Sequence, residues 1–231
     1  MKMPRRELTR IKSAIRSFAV LAGIIGLLWV APRATLAAEV PPADVASYTI
    51  DARYDPETHI LTAEETAVYV NRTETTIPDL VFHLYLNAFR SRETQWMQEA
   101  GPGHRGYNYN PAHPGSMTVE NLRLADGTPL TLEAVDPDET LMRAPLPSPV
   151  APGESITVTM QFTAQFPRVF ARTGWAKDGD FLMAGQWFPK FGVWEQGAWD
   201  AYPFHANSEF YADFGSYDVG VTLPEGWKLA A

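Results

Sequence analysis

Cysteine is absent from all 231 residues. That excludes a disulfide scaffold, a thiolate zinc site, a cysteine nucleophile and a lipid-modified cysteine terminus. The five histidines (His59, His83, His104, His113 and His205) form no H-E-x-x-H, and no two stand four residues apart to share a helix face for zinc. No G-x-S-x-G elbow and no phosphate-cradling glycine loop occurs. Basic charge is scarce where a polyanion would need it. Seven of the 19 Lys and Arg residues precede Ala38, which leaves 12 against 26 Asp and Glu in the remainder. So acidic a body has no basic stripe for phosphates, and nucleic-acid binding is not expected.

The chain opens with what reads as an address. Lys2, Arg5, Arg6, Arg10, Lys12 and Arg16 precede an apolar run from Ser17 to Ala31, closed by Pro32, with the small residues Thr35, Ala37 and Ala38 before Glu39. A positive n-region, a short apolar stretch and a small-x-small exit are the parts of a secretory signal peptide. Residues 1–37 are therefore expected to be a signal peptide or, if uncleaved, a membrane anchor. The run is short for a span, which needs about 20 apolar residues. Either way the rest of the chain is expected outside the cytoplasm. Residues 38–47, with Pro41-Pro42, read as a linker.

Residues 48–231 read as an all-β domain, an antiparallel sandwich or saddle. Ile156, Val158, Met160, Phe162, Ala164 and Phe166 keep strict period 2, as do Tyr217, Val219, Val221 and Leu223. Asp126-Gly127 between the runs 117–124 and 129–135 signals a hairpin. Further strands are expected over 48–54, 60–71, 80–86, 140–144 and 181–186. Nineteen prolines punctuate the chain, and no stretch sustains a 3.6-residue period. Many short strands between turns indicate a sandwich or open barrel.

Most motif-like pieces have plain explanations. Asp178-Gly179-Asp180 reads as a hairpin turn rather than a calcium loop, which would need six to eight oxygens. Asp136-Pro137-Asp138-Glu139 reads as a solvated turn, and His104 and His113 as residues of a polar loop, Arg90–Gly115. His83 alternates with apolar neighbours and reads as a structural or surface imidazole. The segment from Phe170 to Tyr217 is different, because it holds 14 of the 28 aromatic residues. Trp175, Trp187, Trp194 and Trp199 within it are candidates for a glycan-stacking platform or for a protein-partner face.

Three runs carry a more specific resemblance. Gly185-Gln186-Trp187-Phe188-Pro189-Lys190-Phe191-Gly192-Val193-Trp194, followed by Phe204–Val219 with its Glu209-Phe210, Asp213 and Tyr217-Asp218-Val219, resembles the end of the N-terminal domain of the aminopeptidase N family, the gluzincin zinc metallopeptidases. Leu80-Val81-Phe82-His83-Leu84-Tyr85-Leu86-Asn87-Ala88 is similar to that family's F-H-L strand, with Leu86 in place of a proline. Leu146-Pro147 to Pro152-Gly153-Glu154-Ser155 is similar to its proline-glycine turn. The resemblance spans Tyr48 to Ala231.

The resemblance implies the non-catalytic β domain of an exported zinc-dependent aminopeptidase, which shapes the substrate cleft and docks on a catalytic domain. None of that domain's motifs (H-E-x-x-H, the downstream Glu, G-x-M-E-N) is in this chain, so no metal ligand and no catalytic residue is assigned here. Zinc is expected in the missing domain, peptide as the substrate, and the chain alone is expected to be inactive. The run Trp227–Ala231 reads as a strand cut part-way. By the family's pattern Gln186 falls near the place where a Gln or Glu meets the substrate's free amine; the residues alone also allow a structural glutamine at a strand end. The alternative to the whole reading is an exported β-sandwich that binds glycan or protein through its aromatic surface.

Overall fold

The computed structural model describes residues 8–12, 44–104, 106–208 and 210–231. The leader expected over residues 1–37 lies outside these apart from a five-residue strand, β1 (Leu8–Lys12), and so do residues 38–43 of the linker expected over 38–47, whose last two residues instead begin a strand at Ala46. Two sheets share one apolar core. The strands of the larger are β1, β2 (Ala46–Asp55), β3 (Ile60–Val70), β5 (Ser116–Leu124), β8 (Ser155–Gln165) and β10 (Gly215–Thr222). Those of the smaller are β4 (Ile77–His83), β6 (Glu133–Ala134), β7 (Leu141–Val150) and β9 (Lys190–Phe191). Their spatial orders are β1–β10–β2–β3–β8–β5 and β9–β4–β7–β6. All neighbours are antiparallel except β10 beside β2, which is parallel in register from Gly215↔Ala46 to Thr222↔Arg53.

Alternation in the sequence decides which faces meet. Tyr48, Ile50, Ala52 and Tyr54 on β2, with Val158, Met160, Phe162 and Ala164 on β8, are all buried while their neighbours are not. They pack with Ile77, Leu80, Phe82, Ala144 and Val150 from the smaller sheet in one cluster. An apolar surface removed from water on this scale, at about 25 cal/mol per Å², is what holds a disulfide-free fold together. Among the described residues no helix is long and apolar enough to cross a membrane.

Several local expectations are corrected. The strand beginning near Leu80 stops at His83, and Tyr85–Phe89 forms a 3₁₀ turn with every residue buried. Asn87 fixes that turn: its Nδ2 donates to the Glu139 carbonyl (2.9 Å) and its Oδ1 accepts from the Met117 amide (2.7 Å). Asp126-Gly127 does turn the chain, with Gly127 at φ +88°. The returning strand, however, reduces to a bridge at Pro129 and the two residues of β6. β7 runs on to Val150 through Pro145, Pro147 and Pro149, beyond the Met142–Arg143 stretch that β6 covers. Missing amide donors are tolerated on a one-sided edge.

The Arg90–Gly115 loop carries a short helix, α1 (Gln95–Ala100), and a small hairpin. Asp136 is not a solvated turn residue. It is buried and accepts from the amides of Asp138, Thr140 and Leu141 and from the Thr140 hydroxyl, at 2.7–3.3 Å. Residues 177–179 do form the expected turn, between the short strands Gly174–Ala176 and Phe181–Met183. The last strand ends at Thr222. Pro224 and Gly226 (φ +91°) turn the chain, so Trp227–Ala231 is not a strand, and Trp227 packs edge-on against Tyr54 at 5.4 Å.

Candidate functional site

Two of the three resemblance runs, 80–88 and 185–194 with its continuation 204–219, meet at one end of the smaller sheet, while the proline-glycine turn of 146–155 lies toward the other, where Val150 faces Ile77. β9 pairs with β4 so that Lys190 lies opposite His83 and Phe191 opposite Phe82. The His83 ring stacks on Tyr85 at 4.7 Å and 3°, and Phe204 and Phe210 meet Tyr85 edge-on at 5.0 and 4.9 Å. The Lys190 ammonium sits over the faces of Tyr85 and Phe210, 5.2 and 5.8 Å from the ring centroids. Electron-rich ring faces partly replace the water that a buried ammonium loses.

Gln186 joins this cluster through Lys190. The strand expected to reach it ends at Met183. The residue itself is half-buried and adopts φ +52°, a conformation that ordinary strands do not use. Its Oε1 accepts from Lys190 Nζ at 3.1 Å. An ammonium can only donate, so this contact fixes which end of the amide faces inward.

Burial sets the protonation here. Desolvation, and next to it the Lys190 charge, pushes the His83 imidazole down to about 3, so it is neutral at physiological pH. Its Nδ1 is buried with no hydrogen-bond partner. Desolvation alone lowers Lys190 to about 8. His83, Tyr85 and Phe204 also form one side of a cavity of about 430 Å³ that opens between Asp200, Tyr202 and Tyr211.

The four tryptophans do not form one exposed platform. Trp175 is buried, stacked on His59 at 3.9 Å with His113 against its edge at 4.9 Å. Trp194 and Trp199 pair across a short hairpin at 5.3 Å, and their indole nitrogens donate to Thr75 Oγ1 (3.1 Å) and Asp79 Oδ1 (2.8 Å). Trp187 is half-buried between Phe162 and Phe188. His104 packs its ring against Trp96, and His83 is buried rather than exposed. Among the described residues no three His, Asp or Glu side chains converge as a metal-holding group.

Sequence reasoning missed Lys190, Tyr85 and Asp200. A lysine inside Phe188-Pro189-Lys190-Phe191 was the available signal, because a charged side chain amid aromatics must either snorkel or be buried on ring faces.

No protein-family model matches the sequence, and no curated protein matches it. Among solved structures, the M1 zinc metallopeptidase from Deinococcus radiodurans is similar over 58% of this chain and 23% of its own, at 14% identity and a TM-score of 0.36. A mutant of that enzyme bound to a Tyr-Ser-Ala substrate is similar over 58% of this chain and 24% of its own, at 15% identity and a TM-score of 0.36. This chain thus spans about a quarter of the length of the solved structures it matches.

Proposed function

We propose that the chain is the non-catalytic N-terminal β domain of an exported zinc-dependent aminopeptidase, forming one wall of the cleft that admits peptides with free N-termini. One observation carries this reading. Two of the three runs similar to pieces of that family's N-terminal domain, 80–88 and 185–194 with its continuation 204–219, converge in space on one cluster: His83 and Tyr85, Gln186 and Lys190, Phe204 and Phe210. Independent coincidences of composition would not be expected to pack against one another. The leader over residues 1–37 supports export, and contact with a membrane follows only if that leader is retained.

In this reading zinc and its ligands belong to a catalytic domain outside this chain, and no step of the hydrolysis is assigned to residues described here. Gln186 is the residue that touches substrate. It sits on the loop leading into β9, with its side chain held by Lys190 rather than swinging freely. The glycan-binding alternative has less to rest on, because each of the four indoles is engaged within the fold.

The test is made on the product of the complete reading frame, assayed with aminoacyl amides. Gln186→Ala should raise KM about tenfold with kcat little changed, the loss of one hydrogen bond made in both ground and transition states. An unchanged KM removes Gln186 from the substrate site.

A further inference from the structure

We infer that the cavity beside His83 is a binding site for an alkylammonium group, a role that does not depend on the peptidase reading. Its volume, about 430 Å³, falls within the range of roughly 300–1,000 Å³ usual for small-molecule pockets. Its walls are mainly aromatic, from Tyr85, Tyr202, Phe204 and Tyr211. Aromatic faces attract cations through their quadrupole, most strongly where a carboxylate stands nearby and water is thinned out. Asp200 supplies that carboxylate at the wall.

The electrostatics of the mouth favour positive charge. Tyr211 lies 3.5 Å from Glu195, and the carboxylates of Glu195, Asp200 and Asp213 together push its hydroxyl up from its ordinary pKa. The inner wall is uncharged: His83 is neutral, and its buried Nδ1 has no partner. Two other groups that can carry positive charge adjoin the cavity. His205 is engaged by Glu99 at 2.7 Å. Lys190 lies behind Tyr85, not at the mouth, and shows that this ring cluster accommodates an ammonium on its inner side. Its presence there places an incoming cation at the outer end, between Asp200 and the rings of Tyr202 and Tyr211. An apolar stem would then lie against Phe204.

A peptide can offer such a group from its α-amine or from a lysine side chain. Calorimetric titration of the full chain with three ligands separates these: leucine amide (α-ammonium only), Nα-acetyl-lysine amide (side-chain ammonium only) and Nα-acetyl-leucine amide (uncharged). Saturable millimolar binding is expected for at least one charged ligand, and the one that binds names the source. The uncharged ligand should bind about tenfold more weakly, and Asp200→Asn and Tyr202→Ala should each weaken the charged one about fivefold. Tyr202 is 69% exposed, so its truncation leaves the core untouched. Equal binding of the uncharged ligand, no saturable binding of either charged one, or undiminished binding in both variants overturns the assignment.

Discussion

At the scale of single residues, the fold holds a carboxylic acid in an apolar place. Glu65 projects into the core from β3, between Ile50 on β2 and Met160 on β8, and is only 2% exposed. Neither carboxyl oxygen has a hydrogen-bond partner. Burial raises its pKa well above the ordinary 4.5, so the folded protein keeps the proton that the unfolded chain releases. The folded state therefore binds more protons above pH 4.5, and stability falls as pH rises from there toward the folded pKa. Glu65→Met should stabilise the protein by about 1–3 kcal/mol at pH 7, the cost of an unsatisfied buried polar group. The gain should shrink toward pH 4; urea unfolding at the two values checks both statements. No gain at pH 7 would mean that Glu65 finds a partner in solution. The inward direction of Glu65 was legible, since it alternates with Leu61, Ala63, Ala67 and Tyr69. Its burial was not, because that depends on which strands cover β3.

At the scale of elements, what the sequence made legible was period. β2, β3 and β8 fall where alternation places them, because one buried face imposes a two-residue repeat; β5 and β10 also form where strands are expected, though Tyr217 on β10 stays exposed. Elements fixed by distant partners were illegible. Tyr85 and Leu86 read as the end of a strand until Asn87 is seen bridging to Glu139 and Met117. The α1 helix is too short to show a period, and the Asp138 carboxylate, 2.6 Å from the Gln95 amide, satisfies one of its unpaired N-terminal donors.

Gly174 is another such case. At φ +114°, it begins the hairpin that carries Trp175, where a β-carbon would stand 2.8 Å from the Val169 Cα and closer still to the Pro167 carbonyl. Gly174→Ala should cost about 2–3 kcal/mol, read as a lowered urea midpoint. A midpoint unchanged from the parent chain would show that this corner yields freely.

At the scale of the whole molecule, the candidate site is a product of topology. β4 lies early in the chain and β9 more than a hundred residues later, yet their pairing puts His83 opposite Lys190, whose ammonium holds Gln186. Sequence could propose each run separately but not their meeting. The same topology leaves Tyr202, Tyr211 and Phe214, on the segment that leads into β10, and Tyr217 within β10 substantially exposed. Under the proposed function, this exposed aromatic series would be the face that docks on the catalytic domain.

The most direct test of the proposed role is to read the coding sequence downstream of the codon for Ala231. The account predicts a continuous frame that encodes H-E-x-x-H and a later glutamate ligand, in a product with zinc-dependent aminopeptidase activity. A stop codon at that point, or a continuation without the zinc motif, would contradict it.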